Sequence, residues 1–289
     1  MTASAGTPFF LVSGAGNDFI ALLDREAPPA ETVRAWCRRG VSVGADGLFS
    51  LRRGSGGSYV LDYANADGAR AALCLNAARC AARLAFEQAP SISRVEIETA
   101  AGTLTAETVN DTSTAVLVPK PGPGHPLTLR ANGEIYPCYR TLVGVPHLVL
   151  WWPGDLEEAP VASLGPALRA HPDLGVSGAN VHFVDIDRED GFRIRSFERG
   201  VEAETLACGT GVVAAAGCAV AEGRLSLPLV AATRSGCELR LEEGPPEPEG
   251  AARWRLSGDA RIVARGHIRP DADGPKPSTG RRPHRQRNA

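Results

Sequence analysis

The sequence predicts an α+β protein made of two strand-rich halves, each a barrel-like shell around one central helix. Three observations carry that prediction. Short apolar runs bounded by Gly, Pro, Asn and Asp recur along the whole chain, the mark of many short strands. Two longer stretches, rich in alanine, have the length and small side chains of buried helices. Each of those stretches follows a cysteine, Cys74 or Cys208, and the two lie 134 residues apart (208 − 74), close to half of the 289-residue chain. The repeat is one of architecture rather than of residue identity.

In the first half, strands are expected at residues 9–12, 19–23, 58–63, 95–99, 103–109 and 114–118, with a helix over 75–86. Residues 120–126, Lys-Pro-Gly-Pro-Gly-His-Pro, read as a linker, since prolines and glycines join neither a ladder nor a helix. In the second half, strands are expected at 142–145, 148–152, 180–186, 192–196, 229–233, 238–241, 254–258 and 260–265. Gly209, Thr210 and Gly211 read as a turn with bare backbone, followed by a helix over 212–222 that is apolar on nearly every face. The domains are therefore 1–119 and 120–259. Residues 270–289 lack apolar content to bury and read as a disordered tail.

Composition narrows the function classes. A hydrophobic share of 43% is ordinary for a globular protein, and 289 residues can build two cores. A net charge of −2 implies neither a nucleic-acid nor an anionic-membrane partner. The start has no basic segment of a secretory signal, and no apolar run reaches the roughly 18 residues that span a bilayer. Seven cysteines without paired Cys-x-x-Cys spacing point to reduced thiols in a cytoplasm rather than to zinc. No metal site and no cofactor is expected.

The two helix-opening cysteines carry the chemistry. A thiol at a helix N-terminus faces unpaired N–H groups and the positive end of the dipole, which favour thiolate near neutral pH. One such thiol suggests a nucleophile, whereas two suggest an acid and a base on opposite sides of one carbon. Cys37, Cys80, Cys138, Cys218 and Cys237 read as small core residues.

Seven segments then carry a resemblance: Gly14-Ala-Gly-Asn17-Asp-Phe19, Gly44-Ala-Asp-Gly47, Asn65-Ala-Asp-Gly68, Cys74 to Cys80, Pro146-His147, Gly178-Ala-Asn180, and Glu198-Arg199 through Gly211. In this order, over about residues 8 to 270, they resemble the diaminopimelate epimerases, cofactor-independent amino-acid racemases. The resemblance implies two pseudo-symmetric domains facing each other across a cleft that holds the active site, with the strand near 260–269 returning to the first domain. It implies that Cys208 takes the α-proton from the L,L substrate while Cys74 supplies the new one. Asn76, Gly209 and Thr210, with Leu75 beside them, would bind the α-carboxylate as it gains enediolate character. Asn17, Asn65, Asn180 and Arg199 would hold the distal carboxylate and ammonium, the last through a bidentate guanidinium. Glu198 and His147 would border the reacting centre, Glu198 pairing with the α-ammonium. A homodimer is also implied.

The chain departs from the family at three positions. Leu75 and Ala77 stand where glycines flank the family's asparagine, and Val145 stands where asparagine precedes Pro146-His147. These departures leave room for a related racemase of another amino acid. A non-catalytic or redox-sensing relative, its paired cysteines forming a disulfide, is the alternative from another class.

Overall fold

The computed structural model describes residues 6–246, 250–269 and 272, so the tail expected at 270–289 lies outside the described residues but for Ala272. β1 (Thr7–Gly14) and β2 (Asn17–Leu23) form a hairpin closed by Ala15 and Gly16, both at positive φ, the turn whose twist matches that of its strands. α1 (Ala30–Cys37) crosses over to β3 (Gly47–Arg53), which runs parallel to β2. β4 (Tyr59–Asn65) and the two-residue β5 (Arg70–Ala71) follow antiparallel. The chain then enters α2 (Leu75–Gln88) and returns as β6 (Arg94–Thr99), parallel to β4, with β7 (Gly102–Asn110) and β8 (Ser113–Pro119) as an antiparallel meander.

The second half repeats this path. β10 (Glu134–Val143) and β11 (Val145–Trp151) form the hairpin, and α3 (Val161–Arg169) crosses to β12 (Asn180–Arg188), parallel to β11. β13 (Gly191–Glu198) and the short β14 (Ala203–Thr205) lead into α4 (Gly209–Ala221). β15 (Leu229–Thr233) returns parallel to β13, followed by β16 (Glu238–Glu243) and β17 (Arg253–Asp259). One strand is exchanged in each direction. β9 (His125–Ala131), which follows the first half, pairs with β10, and β18 (Arg261–Ile268), which follows the second, pairs with β1. β8 and β17, equivalent in the repeat, pair with each other and join the two shells.

Each shell closes on its helix because the helix offers little but small side chains. Gly209 through Ala219 of α4 are buried, on all faces, as their alanines, valines and glycines allow. α2 buries Leu84, Phe86 and its alanines, and leaves Arg83, Glu87 and Gln88 toward solvent. Each fully buried Leu or Phe contributes about 1.5–3 kcal/mol by removal from water. One core cluster runs through both shells and includes Ala81 and Leu84 of α2 with Val212 and Val213 of α4. Smaller clusters lie under α1, around Val33 and Trp36, and under α3, around Leu164 and Leu168.

Several sequence expectations are corrected here. Residues 142–145 are not one strand: Leu142 and Val143 end β10, Val145 begins β11, and the chain reverses between them at Gly144 with φ +69°. The linker is shorter than 120–126, because His125 and Pro126 already pair with Arg140 and Tyr139. Among the described strands β9 pairs with β10 alone, and such an edge tolerates a proline. Gly209, Thr210 and Gly211 are the first turn of α4 rather than a turn ahead of it, and they are buried. β3, β5, β9, β14, most of β10 and the helices α1 and α3 were not anticipated.

Candidate active site

The strands β4 and β13, whose last residues Asn65 and Glu198 line one cavity, turn through β5 and β14 and deliver Cys74 and Cys208 as the N-caps of α2 and α4. The two first turns abut. A Cβ added to Gly209 would lie 3.0 Å from Asn76 Oδ1 and 3.0 Å from Leu75 Cβ. A cavity of about 1110 Å³ opens at this junction. Its wall contains Asn17, Asn65, Cys74, Leu75, Asn76, Asn180, Glu198, Arg199, Cys208, Gly209 and Thr210, and also Val145. Of the residues singled out from the sequence, His147 alone does not line it.

The two thiols have unequal surroundings. Cys74 is partly exposed and its Sγ accepts the Ala77 N–H at 3.5 Å. Cys208 is 4% exposed, with Sγ 3.5 Å from Thr210 Oγ1. Helix-terminal N–H groups favour thiolate near neutral pH, but burial outweighs them at both sulfurs. Desolvation pushes Cys74 up to about 11, against the pull of the Ala77 and Asn76 N–H groups and of Arg79, with the Glu198 charge adding to the rise. Burial, and then the adjacent Glu198 carboxylate, hold Cys208 well above the ordinary thiol range, although Thr210 and the Gly211 N–H pull the other way.

Glu198 ends β13, and its carboxylate acts on both thiols. Thr205 Oγ1 donates to its Oε1. Burial raises the Glu198 carboxyl above the usual carboxylate range, and Thr205 and the nearby Cys208 thiol restrain the rise. Across the cleft Tyr63, 8% exposed, donates its hydroxyl to Asn65 Oδ1 at 2.8 Å and touches Cys74, and burial raises its pKa as well.

The asparagines are held by their own scaffolds. Asn17 accepts from Asn76 Nδ2 at 2.7 Å and donates to Asp46 Oδ2 at 3.1 Å, so both ends of its amide are engaged within the protein. Asn76 Nδ2 also donates to the Ala207 carbonyl at 3.1 Å, tying the start of α2 to the residue before Cys208. Asn180 Oδ1 accepts the Arg199 N–H at 2.8 Å and so sets the backbone from which the Arg199 side chain departs. That side chain donates from Nη1 to the Ser177 carbonyl at 3.2 Å on the rim. Leu75 is 2% exposed and belongs to the core cluster while also lining the cavity.

His147 stands one layer behind the reacting centre, because β11 turns it under α4. Its Nδ1 lies 2.8 Å from His182 Nε2, and its Nε2 lies 3.3 Å from the Val143 carbonyl. His182 Nδ1 lies 2.9 Å from Ser196 Oγ. A carbonyl only accepts, so the chain runs in one direction: Ser196 donates to His182, His182 to His147, and His147 to Val143. Both rings are fully buried, which lowers His147 to about 4 and His182 below the ordinary imidazole range. They are neutral packing partners of α4.

Tyr63, Asp46, Arg79 and His182 were not read as site residues. Asp46 had a signal, since it lies in the quoted Gly44-Ala-Asp-Gly47 segment. Tyr63 and His182 reach the site only through strand pairing. Among the described residues no group of three His, Cys, Asp or Glu side chains could hold a metal ion, and no helix is long and apolar enough to cross a membrane.

Two equivalent shells that each present a helix-capping thiol to one cleft define a class of fold, the two-domain α+β fold of the proline-racemase-like proteins. It is seen in a probable proline racemase from Agrobacterium radiobacter K84, which superposes with a TM-score of 0.69 over 92% of this chain and 95% of that one at 15% identity. Within that class the chain belongs to the diaminopimelate epimerase family, whose pattern matches residues 9–122 and 140–244. The diaminopimelate epimerase of Aquifex aeolicus is 34% identical over 249 residues, 81% of this chain and 89% of that one. That of Chlorobaculum tepidum is 35% identical over 266 residues, 89% of this chain and 99% of that one.

Proposed function

We propose that the protein interconverts L,L- and meso-diaminopimelate by proton transfer between two thiols at the α-carbon. The observation that carries this reading is the meeting of Cys74 and Cys208, N-caps of equivalent helices, in one cleft whose far wall offers Asn65, Asn180 and Arg199. In the L,L direction Cys208 takes the α-proton and Cys74 returns one to the opposite face. The N–H groups of both helix starts bind the α-carboxylate and gain strength as it becomes an enediolate. Burial favours the protonated form of both thiols. The α-ammonium seated beside Glu198 offsets the charge that helps Cys208 keep its proton, so thiolate forms with substrate in place.

Val145 on the cleft wall favours a second reading, a racemase of a less polar amino acid on the same machinery. The setting that goes with either is a cytoplasmic homodimer with reduced thiols, in keeping with seven free cysteines. The accompanying division into domains, 1–119 with the strand near 260–269 against 120–259, is supported by the pairing of β18 with β1. In D₂O the purified protein should convert L,L-diaminopimelate to the meso isomer with deuterium at the inverted carbon. Inversion of single-carboxylate amino acids without turnover of diaminopimelate would establish the second reading. Turnover of neither, by protein whose two cleft thiols titrate, would end both.

A further inference from the structure

Arg79 lies on α2 one turn beyond Cys74 and is fully buried. Its Nη2 donates to Asn76 Oδ1 at 2.9 Å, while Nε and Nη1 have no hydrogen-bond partner. A guanidinium keeps its charge in proteins, and a buried one with bare donors disfavours the fold unless something offsets it. Core packing alone gives no reason for it, because its neighbours on α2 are Ala78, Cys80, Ala81 and Ala82. The side chain does not line the cleft. Its Nη1 reaches behind the other helix start, 3.6 Å from where a Cβ on Gly209 would stand.

We propose that Arg79 is a positioning residue of this same site. Its cation lies beneath both helix starts, favours thiolate at Cys74 and carboxylate at the cleft, and fixes the Asn76 amide. The proposal rests on the two-thiol reading above. With Oδ1 taken by Arg79, Asn76 must turn Nδ2 toward Asn17 and the Ala207 carbonyl, which holds the two cysteine-bearing turns at one spacing. The helix ends carry only partial charges, so a full positive charge in a poorly screened interior adds to both. The titratable groups facing this cation are the Cys74, Cys80 and Cys237 thiols and the Asp259 carboxylate, and those facing the Cys74 thiol are Glu198 and Arg79, with Tyr63 against it.

Three full-length variants separate charge from hydrogen bond and from packing. Arg79→Met keeps volume, Arg79→Gln keeps a donor for Asn76, and Arg79→Lys keeps the charge. Three measurements apply to each: thermal unfolding, alkylation of Cys74 by iodoacetamide against pH without substrate, and kcat and KM for L,L-diaminopimelate. Arg79→Met should fold with a Tm at or above wild type, because a partly unsatisfied buried cation has gone. Its Cys74 alkylation midpoint should move to higher pH, and kcat should drop at least tenfold with a smaller rise in KM, since the enediolate carries more charge than the carboxylate. Arg79→Gln should show the same shift in midpoint, and Arg79→Lys should regain part of both. Wild-type midpoints and kcat in the Met and Gln variants would overturn the proposal. So would failure of Arg79→Met to fold, which would make Arg79 a core strut. Alkylation is read without substrate, so a wild-type protein inert toward diaminopimelate would defeat the functional reading while this arm still decides on Arg79.

Discussion

The first turns of α2 and α4 hold equivalent places in the repeat, yet they are built differently. α2 opens Cys74-Leu75-Asn76-Ala77, with side chains throughout; α4 opens Cys208-Gly209-Thr210-Gly211. The glycines are forced. Gly209 faces Asn76 and Leu75, and a Cβ on Gly211 would fall 2.2 Å from Cε1 of His182. Arg79 is rooted in α2 and bonded to Asn76 there, reaching only its Nη1 behind Gly209, whereas the α4 turn packs against the neutral chain of His182, His147 and Ser196. Cys74 is partly exposed, whereas Cys208 is buried, with its Sγ near Thr210 Oγ1 and the Glu198 charge acting on it. Pseudo-symmetry therefore sets where the two sulfurs stand, and the unrepeated neighbours set how tightly each keeps its proton.

The severest way to break the comparison is to remove one sulfur. Cys74→Ala and Cys208→Ala should each lower racemisation by about 10³-fold or more, because a single thiol cannot serve both faces of the carbon. Either variant turning over at the wild-type rate would dismantle the two-thiol reading.

Acid should loosen the α4 side alone. An imidazole has its ordinary pKa near 6.5, and His147 in the fold titrates at about 4. Between these values the unfolded chain binds a proton that the native state refuses. Stability is thus intact above about pH 6.5 and falls as pH drops through 4, by on the order of 3 kcal/mol from His147. Urea unfolding at several pH values should show this slope, and His147→Gln should flatten it. Parallel pH profiles for the two proteins would clear the imidazoles of any part in acid sensitivity.

Next comes packing. Gly211→Ala should destabilise by about 1–3 kcal/mol, since the rigid His182 ring must give way. Ala77→Gly at the matching position of α2 loses only helix propensity, under about 1 kcal/mol. Equal losses would show the two turns to be packed alike.

The subtlest test concerns charge. Glu198→Gln removes a carboxylate that raises both thiols, so both alkylation midpoints should move to lower pH. Cys208 should move further than Cys74, because the Glu198 charge is the largest influence on it after burial, whereas at Cys74 it ranks behind the Ala77 N–H. A larger shift at Cys74 would reverse the assigned partnership.

What could be read beforehand follows from how local each signal is. β8 and β15 are mostly apolar runs, β17 sets Trp254 and Leu256 at alternate positions, and α2 and α4 are the two alanine-rich stretches, so all five are legible. β9 and β10 hid behind Pro126 and Pro137, which an edge strand and its partner accommodate. α1 and α3 are short, start after Pro29 and Pro160, and in α3 contain Pro166. The cysteines, Asn65, Asn180 and Glu198 stand in contiguous motifs and were visible. Arg79 and His182 were not, because their roles depend on burial and on strands or helices brought together from far along the chain.

The exchanged strands impose an order on synthesis. The ribosome completes β8 at Pro119, but β18, which covers the outer edge of β1, begins only at Arg261, 142 residues later (261 − 119). At roughly 5–20 residues per second that interval is about 7–28 s. For that time the nascent first shell carries an unpaired strand edge, the kind of surface that recruits other chains. The same edge would stay open in any fragment cut before β18, so a shell that is nearly finished early must wait for almost the whole polypeptide to be sealed.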